Sequence, residues 1–269
     1  MKNYWRNLKD EFFVNYVLDE VKKSYIGADY YLYVCQLFND LIGYHQISLS
    51  GKKILDCGCS TGLPDFYLKR KGAEIHLLDY SKEEIQNARS HQGKLNIIDN
   101  IYYKLGNIKS LPYPDNTFDI VWNEGVIEHF DNGKRKKILE EMLRVIKPGG
   151  ALIIMAPNLF TLHALIIKYI RRFLKKFPQD RWGKERAYTL KELGKLLDDL
   201  GCKRIYTKSC NLPRALLDDF IISFLSRLIK NNFFNKIRER VIRFEKRKGD
   251  FGFGFVAGAI GIKGDSMKN

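Results

Sequence analysis

The 269-residue sequence holds no stretch of the roughly 18 uncharged apolar residues that a bilayer-spanning helix needs. Its nearest approach, Phe251 to Ile262, is broken by Gly252, Gly254, Gly258 and Gly261. The first residues, MKNYWRNLKDEFFVNY, lack the apolar core and small-residue cleavage pattern of a signal peptide, so the expected compartment is the cytoplasm. Cysteine is scarce: residues 35, 57, 59, 202 and 210 make an odd number without the spacing of a disulfide framework, and reduced thiols are expected. No second Cys/His pair completes Cys57-x-Cys59, so no metal is expected. A G-x-x-x-x-G-K-[ST] run is also missing, which excludes a P-loop triphosphatase. What the chain does have is 45% hydrophobic and 13% aromatic residues, too many for a disordered polymer.

Charge is the other abundant feature. The net formal charge is +15, but residues 1–163 are nearly neutral. Two short segments, 164–186 with eight basic against two acidic residues and 227–248 with nine against two, carry +13 of the total. In the first, Leu162, Leu165, Ile166, Tyr169, Ile170, Phe173, Leu174 and Phe177 recur at helical spacing, with Lys168, Arg171, Arg172, Lys175 and Lys176 on the complementary face. The second combines the apolar run Phe220, Ile221, Phe224, Leu225 and Leu228 with basic residues through Lys248. Three partners suit such segments. They form a lid packed over a substrate, an anionic membrane surface contact through 162–177 and 220–248, or a phosphate-binding face for RNA. The large apolar stripes, without a bare aromatic stacking platform, speak against nucleic acid.

From Lys52 onward apolar runs alternate with helix-period segments. Strands are expected at Lys53–Asp56, Glu74–Asp79, Ile101–Leu105, Phe118–Asn123 and Ala151–Ala156, with helices at 62–71, 82–90 and 133–146 between them. This order implies βαβ units and a mostly parallel sheet. Ser81 opens a capped helix, Pro148-Gly149-Gly150 reads as a turn, and Thr189-Leu-Lys-Glu192 is a capping box. Lys203–Ser209 and Phe253–Lys263 supply two last strands. The expected division is an N-terminal helical lid at 1–50 and an α/β domain at 51–269, with insertions at about 158–187 and 212–248.

The chemical signal is Ile54-Leu-Asp-Cys-Gly-Cys-Ser-Thr-Gly62, a strand that ends in an acidic residue and enters a glycine-bearing loop. Gly58 and Gly62 let the backbone approach a ligand, and Asp79, at the end of the second strand, is placed to accept bonds from a ribose diol. LDCGCSTG, LLDYS, GNIKSLPYPDNTFDIVWNEGVIEHF and LRVIKPGGALIIMAPN resemble, in order, the motifs of class I S-adenosylmethionine-dependent methyltransferases, type 11 in particular. The resemblance covers about residues 50–157, with an echo at 188–205. It implies a Rossmann-like, seven-stranded, mostly parallel α/β sheet with helices on both faces, the cofactor S-adenosyl-L-methionine, and a small-molecule or lipid-like methyl acceptor.

Carried over by position, Asp56, Gly58, Ser60 and Gly62 shape the loop around the methionine end, and Asp79 with Tyr80 meets the ribose. Asn107 and Ile108 meet the adenine, and Asn123 faces the methionine end. Ser60 and Asn107 depart from the family's commoner glycine and aspartate, the only support for an inactive cofactor-binding scaffold. Ser60 also counts against a nicotinamide dehydrogenase, which would prefer a bare loop. An RNA-modifying methyltransferase is the remaining alternative. His129 beside Glu128 is placed either as a general base or as a polar residue starting a helix, and Tyr30, Tyr31 and Tyr33 either cover the cofactor or pack.

Overall fold

A computed structural model describes residues 8–20, 28–98, 100–159, 186–210 and 256–264. The first basic insertion, apart from its edges, and the whole of the second lie outside these residues. The strands are β1 (Lys53–Cys57), β2 (Glu74–Asp79), β3 (Ile101–Leu105), β4 (Phe118–Glu124), β5 (Ile146–Pro157), β6 (Lys203–Cys210) and β7 (Val256–Ile262). The helices are α1 (Glu11–Glu20), α2 (Ala28–Tyr44), α3 (Leu63–Arg70), α4 (Lys82–Lys94), α5 (Asn132–Val145) and α6 (Leu190–Asp199), with a 3₁₀ turn at Ile127–His129. The seven strands form one sheet in the order β3-β2-β1-β4-β5-β7-β6. Pairing is parallel from β3 through β5, while β7 is antiparallel to both β5 and β6.

Strand side chains alternate between faces, which divides the core. Ile120 and Trp122 of β4, with Ile153 and Met155 of β5, join a cluster built from α1 to α4. Val121, Leu152 and Ile154 point the other way, into a cluster with Ile138, Leu139, Met142 and Val145 of α5 and Leu193 and Leu197 of α6. The buried spacing on α5 is the i, i+3, i+4, i+7 stripe of an amphipathic helix. The N-terminal helices are part of the first cluster: Leu32, Leu37, Phe38 and Leu41 of α2 are fully buried. Gly258 of β7 permits this, since a Cβ there would stand 2.9 Å from Leu41 and 3.0 Å from Leu37.

The helix starts follow their capping residues. Ser81 accepts a bond from the Glu84 N–H (3.3 Å), and Asp131 accepts one from Lys134 (2.9 Å). At α6 the capping box is complete, with Thr189 Oγ1 accepting from the Glu192 N–H (3.1 Å) and Glu192 accepting the Thr189 N–H (2.8 Å).

Two expectations from the sequence change. Pro148-Gly149-Gly150 does not separate a helix from a strand: it lies inside β5, which starts at Ile146. Phe118 pairs with Ile146 and Ile120 with Ala151, so the extra residues are absorbed as a bulge. Gly149 takes φ 73°, and a Cβ on Gly150 would meet the Asp119 carbonyl at 2.8 Å, so glycine is required at both. The helix expected at 82–90 continues to Lys94, running through Gly93.

Candidate cofactor site and carboxyl-edge acid cluster

The parallel strands deliver Asp56, Asp79 and Glu124 to one edge of the sheet, where the loop 57–62 turns into α3. Gly58 adopts φ 97°, and a Cβ on it would lie 2.6 Å from the Val126 side chain. The loop closes on Gly62 at φ 67°, which is the N-cap of α3. Asp79, buried at the end of β2, holds this loop: one oxygen accepts the Ser60 N–H (3.1 Å) and the other the Ser81 N–H (2.9 Å). Each oxygen keeps a lone pair for a further donor such as a ribose hydroxyl.

Ser60 sits in the left-handed region at φ 45°, a conformation that glycine reaches more easily. Its hydroxyl turns outward to Glu84 of α4 (3.0 Å), which leaves the backbone of the loop bare despite the added side chain. Tyr80 is exposed beside Asp79 and presents an open ring face. Asn107 is exposed too, and its amide oxygen accepts the Lys109 N–H (3.0 Å). Its NH₂ group and one lone pair are left for a base edge. Ile108 is half-buried against the α5 face of the core.

Strand parity separates the two residues that follow Trp122. Asn123 is fully buried on the α5 face, its amide donating to Met142 Sδ (3.2 Å). It is not brought to the loop. Glu124 points to the opposite face, where the Tyr30 hydroxyl of α2 donates to Glu124 Oε1. Burial pushes the Glu124 carboxyl up to about 7, and the Tyr30 bond acts against that rise. Burial and the neighbouring Glu124 push Tyr30 well above its ordinary value, so its hydroxyl stays a donor. Tyr31 packs edge-on against Tyr30 (5.7 Å) and faces Thr61 of the loop, whereas Tyr33 is a buried core residue.

The 3₁₀ turn is held from behind by Arg135 of α5, whose guanidinium donates to the Ile127 (3.1 Å) and Phe130 carbonyls. In this turn Glu128 is buried and His129 is exposed. The titratable group that the fold joins to Tyr30 is therefore Glu124. Parity along β4 was the signal available in the sequence: Glu124 shares a face with Ile120 and Trp122, not with Asn123.

A second pair lies beneath the loop. Asp56, at the end of β1, and Asp65, in the first turn of α3, are both buried and close enough that Asp65 raises the Asp56 carboxyl further. Asp65 Oδ1 also accepts the Trp122 indole N–H (3.2 Å). Neither Asp56 Oδ1 nor Asp65 Oδ2 has a hydrogen-bond partner among the described residues. Burial raises both carboxyls, Asp65 to about 7. Cys57 and Cys59 are buried thiols, pushed up by burial and by Asp56. No group of three potential ligands suited to a metal occurs among the described residues.

These features fit S-adenosylmethionine. The loop approaches closely only because glycine occupies position 58, and Asp79 offers a diol acceptor. A buried carboxyl oxygen at Asp56 without an outside donor awaits a cationic or N–H group. Fold and loop together define a Rossmann-like nucleotide-cofactor domain. Residues 55–154 match the family described as a methyltransferase domain. The chain belongs to the class I S-adenosylmethionine-dependent methyltransferases, and S-adenosylmethionine is its cofactor.

It is 31% identical over 174 residues to the demethylmenaquinone methyltransferase of Bacillus licheniformis, covering 58% of this chain and 72% of that protein. With the ubiquinone/menaquinone biosynthesis C-methyltransferase of Hydrogenovibrio crunogenus it shares 36% over 118 residues, 41% of this chain and 46% of the relative. The chain thus spans about half the length of that relative. In fold it resembles the phosphoethanolamine N-methyltransferase 2 of Haemonchus contortus, solved with S-adenosyl-L-methionine. That match has a TM-score of 0.59 at 15% identity and covers 97% of this chain and 60% of the other.

Proposed function

We propose that the protein transfers the methyl group of S-adenosylmethionine to a small, lipid-like acceptor that carries an acidic hydroxyl, with an electron-rich ring such as a quinol as the leading class. The observation that carries this reading is the Tyr30–Glu124 pair at the carboxyl edge of β4. The cofactor, when bound, supplies a methyl group already activated by its sulfonium charge, so alignment rather than acid catalysis is the main requirement. A hydroxyl that is methylated, or that pushes its electron pair onto the ring carbon that is methylated, must lose its proton, and in the carbon case the ring's own hydrogen leaves as a proton when aromaticity returns. Glu124, raised to about 7, is ionised in a useful fraction at neutral pH and receives the hydroxyl's proton; Tyr30 holds the carboxylate in place. Tyr30 and Tyr31 present aromatic surface suited to a flat ring. The names of the two sequence relatives, both quinone methyltransferases, support the acceptor class. A quinol, the reduced form, is the nucleophilic one.

The basic amphipathic segments 162–177 and 220–248 fit a membrane surface on which such an acceptor is presented. Among the described residues no helix is long and apolar enough to cross a membrane, so the contact proposed is peripheral. The test is flotation with vesicles containing anionic phospholipid and a short-chain demethylmenaquinol. The expected outcome is co-flotation and methylation of the quinol, with Ile170→Asp plus Phe173→Asp abolishing flotation. Retention on tRNA that falls steeply with salt and ignores those two changes would instead support the RNA reading.

A further inference from the structure

Tyr188 has a ring that the fold explains and a hydroxyl that it does not. The residue follows the first basic insertion and is bridged to Asn158, just past the end of β5. Its N–H donates to the Pro157 carbonyl (2.8 Å) and its carbonyl accepts the Leu159 N–H (2.8 Å). The ring belongs to the α5–α6 side of the core and is 1% exposed, and the guanidinium groups of Arg135 and Arg186 lie over it at 5.3 and 5.1 Å. Phenylalanine would make all of these contacts. The hydroxyl is buried and has no hydrogen-bond partner among the described residues. Burying a hydroxyl without a partner costs free energy that phenylalanine would spare, so a ligand is what accounts for it.

The surroundings of Tyr188 adjoin the acceptor side. Arg186, two residues earlier, donates its N–H to the Glu128 carbonyl (3.3 Å). Its guanidinium bonds Asn132 at the start of α5 (3.4 Å) and Glu192 of α6 (2.7 Å). Glu128 Oε1 lies 3.8 Å from the point where a Cβ on Gly125 would stand, so this carboxyl sits over the residue that follows Glu124. The charge of Glu128 acts on both Tyr30 and Tyr188, which places both hydroxyls within reach of one carboxyl. Burial raises the Tyr188 phenol, so it stays a donor at neutral pH. Its desolvation is already complete in the free protein, and an oxygen brought to it gains the bond without that cost.

We propose that Tyr188 sets acceptor specificity: its hydroxyl donates a hydrogen bond to the acceptor-ring oxygen that does not face Glu124. This rests on the acceptor reading above and adds to it a second point of recognition, one for each oxygen of a quinol. Arg135 and Arg186, over the ring, fix the direction in which the hydroxyl is offered.

The experiment compares a short-chain demethylmenaquinol with the two matching naphthols, each lacking one ring hydroxyl, as acceptors for wild type, Tyr188→Phe and Glu124→Gln. Wild type is expected to use the better naphthol with a kcat/KM about 10- to 100-fold below that of the quinol, the range of one buried hydrogen bond. Tyr188→Phe should bring the quinol down to the naphthol's level and leave the naphthol unchanged, because the bond it lacks is one the naphthol never makes. In Glu124→Gln both acceptors should slow by a similar factor. Without acceptor, a denaturant titration should find Tyr188→Phe at least as stable as wild type.

Equal loss on quinol and naphthol in Tyr188→Phe, or no loss on either, would overturn the proposal. So would a variant that is less stable than wild type or unable to fold, since the hydroxyl would then be serving the protein itself. Methylation of none of the three compounds by wild type contradicts the acceptor reading; methylation with the same preference in wild type and Tyr188→Phe contradicts only this hydrogen bond.

Discussion

Glu124→Gln is expected to lower methylation of a quinol by about 10²- to 10⁴-fold, the range lost when a positioned general base is removed. Cofactor affinity should change little, because the carboxyl that faces Tyr30 belongs to the acceptor side of the site. The amide is nearly isosteric and still accepts the Tyr30 hydroxyl, so the fold survives and the loss is chemical. The pH dependence fixes the assignment. Glu124 acts as the ionised form and is raised to about 7, so the wild-type rate climbs with pH below 7 and levels above it. The Tyr30 bond favours the ionised form, hence Tyr30→Phe should move the rising limb to higher pH while retaining activity on the alkaline side. A rate–pH profile of three proteins checks both statements. An unchanged limb in Tyr30→Phe would detach the tyrosine from the base, and full activity in Glu124→Gln would remove Glu124 from the chemistry.

Asp79→Ala carries the second large effect, a loss of cofactor affinity of roughly 100-fold. Hydrogen bonds to a charged group contribute about 1.5–3 kcal/mol each, and this carboxylate both orders the loop and offers its remaining lone pairs to a diol. The alanine removes the acceptor for two backbone donors at once, Ser60 N–H and Ser81 N–H. Stability should therefore fall as well, by about 1–3 kcal/mol, from the donors left without a partner. Calorimetry with S-adenosylmethionine and a denaturant titration measure the two parts separately. Retained affinity in the variant would place the ribose elsewhere.

The sheet was legible because its strands are short apolar runs bounded by turn residues and separated by helices with stripes such as that of α5. The loop was legible because glycines 58 and 62 do jobs that few other residues can. What escaped was set by contacts between distant elements. Asn123 and Glu124 are adjacent in sequence and strand parity puts them on opposite faces, but which face α2 covers and which α5 covers is set only by tertiary packing. Asp65 reads in isolation as an ordinary acidic residue in the first turn of a helix. Its partner Asp56 comes from the preceding strand, and the indole bond comes from Trp122, 57 residues away. The Pro-Gly-Gly segment has a turn's composition, yet it lies within β5 as a bulge between the pairs Phe118–Ile146 and Ile120–Ala151, with the Gly149 N–H bonded to the Lys263 carbonyl. Ser60 breaks the family's loop pattern, but Glu84 draws its hydroxyl aside.

Label transfer reads the acceptor class directly. The protein incubated with methyl-labelled S-adenosylmethionine and a reduced, fractionated cell extract should place label in the solvent-extractable lipid fraction, and Glu124→Gln should nearly abolish it. Label confined to RNA or protein, or equal labelling by wild type and Glu124→Gln, would contradict the proposal that this carboxyl edge methylates a small lipid-like acceptor.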